Sequence, residues 1–183
     1  LALFISYKRA PRYGLASEDV LDIVLGILPL GILGARIYYV IFSWNYYSDS
    51  PSEIFDIRGG GLAIHGGLIF GFITAYAICK YKKISFIDVA DLILPSVALA
   101  QAIGRWGNFF NNEAYGTETT LPWAIIVDGK SVHPTFLYES IWCFIIFIIL
   151  SYIFRHRKFP GQVACLYGLL YAPERFLVEG LRT

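Results

Sequence analysis

Long apolar stretches alternate along the chain with short segments rich in charged and aromatic residues. Five of these stretches can be read, at about 20–44, 60–79, 84–103, 135–154 and 163–181. A helix needs about 20 predominantly apolar residues to cross the hydrocarbon core of a bilayer, and shorter runs suit the cores of soluble proteins. The pattern therefore predicts an all-α fold, a polytopic transmembrane helical bundle with five full helices.

The two ends of the chain suggest further helices. Residues 1–7 resemble the end of a helix, and the chain begins at Leu1 and contains no methionine. Apolar character also continues almost to Thr183. We therefore expect one transmembrane domain over residues 1–183, truncated at both ends, with a sixth helix only partly present. We expect 106–134 to be an extracytoplasmic loop region.

The distribution of basic residues predicts the orientation. Loops on the cytoplasmic side of a membrane carry an excess of Lys and Arg. Three basic clusters occur, made of Lys8, Arg9 and Arg12, of Lys80, Lys82 and Lys83, and of Arg155, Arg157 and Lys158. The alternate loops, 45–59 and 106–134, carry only Arg58 and Lys130. The clusters are therefore predicted to be cytoplasmic, and the two loops to lie on the outer side.

The amino-acid composition excludes fewer classes of function than the pattern of apolar stretches does. Hydrophobic residues make up 56% of the chain, and a net charge of +1 gives no reason to expect nucleic acid as a partner. The three cysteines, Cys79, Cys143 and Cys165, belong to apolar runs without CxxC spacing. We interpret them as packing residues, with a catalytic thiol as the minor alternative. No segment has metal-ligand spacing such as HExxH.

One segment at the end of the third apolar stretch concentrates polar groups. Residues 104–116, GRWGNFFNNEAYG, combine an arginine, three asparagines, a glutamate and glycines at both ends and inside. Ionisable groups at membrane depth are costly and usually functional. The alternative is a polar loop whose arginine extends to the lipid headgroups. The density of amides and glycines favours a functional site.

Several other polar residues fall at a similar depth. The first set consists of Arg36, His65, Arg105 and Arg175. At 1.5 Å of rise per helical residue, these four residues lie roughly 20 to 28 Å from the cytoplasmic end of their helices. The second set, at the point where a helix descends from the outer surface, consists of His133, Tyr138 and Glu139. Cations, an imidazole and carboxylates from distant segments are thus predicted to share the outer half of the membrane.

Some conspicuous residues have structural explanations instead. Asp22, Asp88 and Asp91 are near the cytoplasmic starts of helices, where capping and the helix dipole favour acidic side chains. The glycines of Gly67-x-x-x-Gly71 are interpreted as a close helix contact. Pro29, Pro95 and Pro173 are expected to kink helices or to break them around a cavity.

The segment 104–116 fills every fixed position of G-R-x-G-N-F-x-N-x-E-x-x-G, the signature of prolipoprotein diacylglyceryl transferases. Three further blocks resemble the same family in the same order: His65–Gly67 as HGG, His133–Glu139 as HPxxLYE, and the set Tyr171, Arg175, Glu179 and Arg182. The resemblance covers essentially the whole chain. Members of the family have seven membrane helices, and Pro173 and Glu174 stand where the family pattern has glycine or small apolar residues.

The resemblance implies an enzyme of the bacterial cytoplasmic (inner) membrane with its active site in the outer half. Such an enzyme transfers the diacylglyceryl group of phosphatidylglycerol to the lipobox cysteine of a prolipoprotein signal peptide. A thioether forms and glycerol 1-phosphate is released, as the first step of lipoprotein maturation. We expect no cofactor, a metal-free site and a monomer.

The resemblance also implies roles for particular residues. Arg105 and Arg175 are predicted to bind the lipid phosphate and to stabilise the leaving group, and His65 to act as general base. Two sets of residues, together with Gly116, are expected to form the headgroup pocket. The first set also holds Arg105 and consists of Asn108, Asn111 and Glu113, and the second set holds Arg175 and consists of Tyr171, Glu179 and Arg182. A supporting or peptide-contacting role is expected for Arg36, His133, Tyr138 and Glu139.

Two other classes of function stay open from the residues alone. An intramembrane lipid hydrolase needs a protein nucleophile near His65, and Ser131, which is close to the outer polar residues in sequence, stands in no recognised nucleophile motif. A membrane transporter for an anionic solute also uses arginines and broken helices at depth. Such a transporter is expected to contain an internal repeat, and none is visible in the sequence.

Overall fold

The computed structural model describes residues 1–48, 51–57 and 59–181, and these are mostly helical. The α-helices are α1 (Ala2–Arg9), α2 (Ser17–Phe42), α3 (Trp44–Tyr47), α4 (Ile64–Lys82), α5 (Phe86–Phe110), α6 (Thr135–Arg155) and α7 (Gln162–Glu179). Short 3₁₀ helices cover Ala10–Tyr13 and Pro51–Phe55, and two strands, β1 (Ile125–Val127) and β2 (Lys130–Val132), form a hairpin. The chain divides into two compact units, one made of the described parts of Leu1–Ser6 and Ile87–Thr183 and the other of Tyr7–Phe86.

Four of the described helices are long and apolar enough to cross a membrane, namely α2, α4, α5 and α6. This confirms the prediction of a helical membrane protein. The fifth predicted helix exists as α7, but it is not among these four. Its last six residues include Glu174, Arg175 and Glu179, and charged side chains strongly oppose insertion into hydrocarbon.

In the unit Tyr7–Phe86, α2 and α4 pack along each other through glycines. A Cβ atom on Gly66 would overlap the backbone carbonyl of Gly34, and one on Gly34 would overlap the ring of Phe70. Small residues allow this approach, which gains van der Waals contact inside a bilayer. Gly67 and Gly71, interpreted from the sequence as a close helix contact, also face α2: a Cβ on them would lie 3.5 Å from the Gly31 carbonyl oxygen and 3.4 Å from the Ile27 side chain. At the other end of the helix pair, Lys82 Nζ lies 2.7 Å from a carboxylate oxygen of Asp19.

In the other unit, the predicted loop 106–134 is shorter than expected, because α5 continues to Phe110. Arg105 therefore lies inside a helix and not at its end. The amide of Asn111 donates to the carbonyl of Gly107 at 2.9 Å, and the chain turns only at Asn112, whose φ is 51°. The glycines of this segment do not stop the helix, because neighbouring turns still supply hydrogen-bond partners.

The same segment contains the β-hairpin, which the sequence analysis did not predict. Its turn residues Asp128 and Gly129 both have positive φ, at 50° and 79°. This geometry matches the twist of antiparallel strands, and Asp-Gly is a preferred sequence for it. Lys130 Nζ lies 2.6 Å from Glu118. The hydrogen bond to Glu118 raises the pKa of Lys130 above its usual value.

A fully buried carboxylate joins α5 to the start of α7. Asp91 accepts hydrogen bonds from the backbone amides of Gly161 at 2.8 Å and Ala164 at 2.9 Å, and Arg157 Nη1 approaches it at 3.2 Å. The first amides of a helix have no partner within the helix, so Asp91 supplies one from a distant segment. From the sequence, Asp91 is expected to cap or to stabilise the start of its own helix. In the structure it caps α7 instead.

We expect Asp91→Asn to destabilise the protein by about 3 kcal/mol, because breaking a buried ion pair leaves Arg157 without its buried counter-charge. The check is the free energy of unfolding in detergent titrated with dodecyl sulfate. Asp88→Asn is the matched control, since its carboxylate also binds Arg157 but is partly exposed. A change there of no more than about 1 kcal/mol is expected. Equal effects of the two substitutions would contradict the assigned role of Asp91.

Candidate active site

One buried carboxylate holds both of the arginines that the sequence singled out. Glu139 Oε1 on α6 lies 3.0 Å from Arg105 Nη2 of α5 and 2.7 Å from Arg175 Nη1 of α7. Glu139 is only 2% exposed. Arg175 also pairs through Nη2 with Glu179 Oε2 at 2.8 Å, one helical turn further along α7. Helices α5 and α7 therefore bring two guanidinium groups to a single oxygen atom on α6.

Contacts between α5 and α6 set this geometry. Ser140 Oγ donates to the carbonyl oxygen of Ala102 at 2.8 Å and accepts from Trp106 Nε1 at 3.1 Å. One turn away, the ring of Phe109 stacks on that of Phe136 with centroids 4.8 Å apart. These contacts involve residues on both sides of Arg105 and Glu139. The meeting of the arginine with the carboxylate is therefore built into the helix packing.

The arginine pair is suited to binding an anion. The Arg105 and Arg175 side chains are 20% and 34% exposed, so part of each guanidinium group is accessible. A guanidinium group carries five N–H donors, and a carboxylate occupies only some of them. The buried Glu139 balances one of the two positive charges, and the second is balanced only by the exposed Glu179. A phosphate group has the charge and the oxygen geometry to bind such a site in a bidentate manner.

The polar residues that follow Arg105 have other partners. Asn111 Nδ2 donates to Glu113 Oε1 at 3.3 Å on the exposed surface, and the Glu113 amide donates to the Asn108 carbonyl at 3.0 Å. The sequence analysis expected Asn108, Asn111 and Glu113 to hold Arg105. Among the described contacts, the ion pair of Arg105 is with Glu139 instead.

Gly116 and the HPxxLYE block are joined by tight packing. The Gly116 amide donates to the His133 carbonyl at 3.0 Å, and a Cβ on Gly116 would lie only 2.7 Å from the His133 Cβ. Nearby, Trp123 Nε1 donates to Tyr138 Oη at 2.8 Å, and His133 Nδ1 lies 3.3 Å from the same oxygen. Gly116 is thus required for packing here, and Tyr138 ties His133 to Trp123.

On α7, Tyr171 stacks on Tyr167 with ring centroids 5.5 Å apart. Tyr167 Oη in turn donates to Gln101 Oε1 at 2.9 Å. Tyr171 therefore belongs to an aromatic and polar contact one turn before Arg175. Arg182, which was predicted to assist Arg175, lies outside the described residues.

Arg36 and His65 belong to the unit Tyr7–Phe86. The Arg36 guanidinium is buried and donates to four backbone carbonyls, those of Glu53, Ile54, Gly60 and Gly61, at 2.5 to 3.0 Å. These bonds make Arg36 an anchor for the segment before α4. His65 is exposed in the first turn of α4, with its ring 6.2 Å from that of Tyr38.

Arg36 also lines a polar cavity of about 410 Å³. On its wall, Tyr46 Oη donates to Glu53 Oε2 at 2.5 Å, and this hydrogen bond raises the pKa of Tyr46. Within the described ranges, no three His, Cys, Asp or Glu side chains are grouped to hold a metal ion.

Sequence reasoning missed two features of the arginine pair. Glu139 was expected only as a supporting residue, although it is the shared counter-ion. Glu174 was noted only as a departure from a pattern, and the structure buries it beside Arg175. A carboxylate within an apolar helix was the available signal, since such a group normally has a partner or a function.

The fold and this site define a helical membrane protein in which two arginines share one buried carboxylate. The family description "Prolipoprotein diacylglyceryl transferase" matches residues 1–183, and the chain belongs to that family. It is 55% identical to the phosphatidylglycerol–prolipoprotein diacylglyceryl transferase of Finegoldia magna and 54% identical to that of Clostridioides difficile. The enzyme of the same name from Clostridium novyi is 46% identical. All of this chain is aligned in each comparison, against 74%, 74% and 75% of the respective relatives.

Proposed function

We propose that this protein transfers the diacylglyceryl group of phosphatidylglycerol to the lipobox cysteine of bacterial prolipoproteins. The observation that carries the proposal is the pairing of Arg105 and Arg175 on one oxygen of Glu139. The family membership supports the reaction, and the arginine pair supports an anionic lipid headgroup as the substrate.

The proposed reaction forms one bond and breaks another. The thiol sulfur attacks the glyceryl carbon that bears the phosphate, a C–S bond forms, and the C–O bond breaks. The phosphodiester of the lipid becomes a phosphate monoester, whose oxygens carry more negative charge than before. Arginines that contact these oxygens stabilise the transition state more than the ground state, which is the condition for catalysis.

The remaining roles rest on the resemblance. His65 takes the thiol proton, which a cysteine with an ordinary pKa of about 8.5 largely retains at neutral pH. Glu179 orients Arg175, and Tyr171 packs in the turn before it. Asn108, Asn111, Glu113 and Gly116 shape the wall of the headgroup pocket, together with Arg182. His133 and Tyr138 contact the peptide, while Arg36 supports its own unit.

The membrane arrangement is also part of the proposal. We assign α7 as a fifth crossing helix whose charged end faces protein, since ionisable groups in a membrane normally face the interior of the bundle. The site then lies in the outer half of the cytoplasmic (inner) membrane, and the protein acts as a monomer. In this arrangement, phosphatidylglycerol reaches Arg105 and Arg175 from the outer leaflet.

The experiment incubates the purified protein in mixed micelles with labelled phosphatidylglycerol and a peptide that carries a lipobox cysteine. We expect the label on the peptide as a thioether and the release of glycerol phosphate only when the cysteine is present. A serine-substituted peptide is the control. Release of glycerol phosphate without the thiol would favour the alternative of an intramembrane hydrolase.

Oxygen-18 water distinguishes the two bonds that could break. Attack on carbon leaves every phosphate oxygen in place, so the mass of the released glycerol phosphate should be unchanged. A hydrolase that attacked phosphorus would introduce one oxygen from water. Heavy oxygen in the phosphate would therefore contradict the proposed transfer.

A further inference from the structure

Glu174 is a buried carboxyl group with no hydrogen-bond partner in the part of the chain that the structure describes. It lies on α7 and is 7% exposed, and neither of its oxygens has a partner among the described residues. Buried polar side chains in folded proteins are nearly always hydrogen-bonded, so an exception requires an explanation. An ionised carboxylate in this position would be costly, whereas a neutral carboxyl group is tolerated more easily.

The surroundings of Glu174 connect it to the arginine pair. It precedes Arg175 in the chain, and its charged form interacts electrostatically with Glu139, Arg105 and Arg175. Cys143 of α6 interacts electrostatically with Glu174, Arg105 and Glu139. Glu174 is therefore a buried group near both arginines of the proposed phosphate site.

The charge at this site favours a neutral Glu174. Glu139 and the exposed Glu179 together balance the charges of Arg105 and Arg175. An ionised Glu174 would make this group of side chains net negative and repel the lipid phosphate. A neutral carboxyl group instead offers an O–H donor, which neither Glu139 nor Glu179 supplies while it is paired with arginine.

Building on the proposed function, we propose that Glu174 is a proton donor to the phosphate oxygen that leaves the glyceryl carbon. As the C–S bond forms and the C–O bond breaks, the Glu174 proton moves to the departing oxygen and the thiol proton moves to the base. The products are the thioether and a protonated glycerol phosphate. Glu174 is left as a carboxylate and regains a proton from the base before the next turnover, so protons and charges balance.

The test compares Glu174→Gln with the wild-type full chain in the micelle assay. Glutamine keeps the shape and an N–H donor but cannot give up a proton. We expect kcat to fall about 100-fold, the usual size of a general-acid contribution, while KM for phosphatidylglycerol stays within about threefold. Glu18→Gln, which removes an exposed carboxylate at the start of α2, is the control and should retain the wild-type kcat.

A second substrate separates proton donation from a structural role. In a phosphatidylglycerol analogue with trifluoroethanol in place of the headgroup glycerol, the departing phosphate is less basic and needs a proton less. The defect of Glu174→Gln should therefore shrink on this analogue, and Glu174→Asp should recover part of the kcat on the natural lipid.

Three results would overturn the assignment or its basis. A kcat for Glu174→Gln within about threefold of wild type would exclude proton donation, because general-acid contributions are larger. An equal loss on both lipids, together with a lower melting temperature, would show that Glu174 only supports the packing. A wild-type protein that transfers no diacylglyceryl group would instead refute the proposed function, and with it this role.

Discussion

Replacing Arg105 by alanine is expected to lower the rate of diacylglyceryl transfer by about 10²- to 10³-fold. Loss of one preorganised donor to the charge that develops in a transition state has an effect of this size, and here the charge develops on the departing phosphate oxygen. A phosphate group can reach Arg105, because the side chain is held by Glu139 but remains 20% exposed. The measurement is kcat with labelled phosphatidylglycerol and a lipobox peptide.

Arg105→Lys tests whether charge alone is sufficient. A lysine ammonium is a point charge and cannot reproduce the planar fork that binds two phosphate oxygens. We expect it to recover no more than a small part of the lost activity. Arg155→Ala, at the opposite end of α6 and exposed, is the matched control for loss of an arginine. Wild-type rates in purified Arg105→Ala would refute the phosphate-binding role.

Glu139→Gln should lower both stability and activity, because it removes the negative charge that holds Arg105 and Arg175 together. Arg105 and Arg175 would then face each other without a shared counter-ion. Loss of one partner from a buried ion pair typically costs about 3 to 5 kcal/mol, and Glu139 is almost completely buried. We expect a loss of stability in the lower part of this range and a kcat reduced by about 100-fold, because the arginines lose their positions.

Unfolding in dodecyl sulfate and the micelle assay measure these two effects. Glu179→Gln provides a comparison for stability alone, since Glu179 is an exposed partner of Arg175. Exposed pairs contribute less than about 1 kcal/mol. If Glu139→Gln were as stable as wild type, the shared ion pair would not be the element that organises the site.

Some element boundaries could be predicted closely from local sequence. The predicted stretch 135–154 is almost the same as α6, Thr135–Arg155, because Pro134 marks the start and a basic residue marks the end. The end of α5 could not be predicted in this way. Glycines and asparagines resemble a loop in sequence, yet the helix continues to Phe110 because tertiary contacts of Trp106 and Phe109 stabilise it.

In the candidate site, too, some features could be predicted from the sequence and others could not. Arg105, Arg175 and His65 could be selected from the sequence, because charged groups in apolar stretches are conspicuous and the signature identifies them. The pairing of Arg105 with Glu139 could not, since it depends on the rotation of α5 and α6 about their axes. That rotation is set by contacts such as Ser140 with Ala102, which have no local sequence signal.

The sequence by itself determined that this is a helical membrane protein and which family signature it carries. Those properties depend on segment length and residue identity, and neighbouring residues are sufficient to specify them. Only the tertiary structure decided that Glu139 joins two arginines, that Asp91 caps α7 and that Glu174 is buried with no hydrogen-bond partner among the described residues. Each of these depends on which faces of distant helices meet, because packing between helices fixes those faces and sequence spacing alone does not.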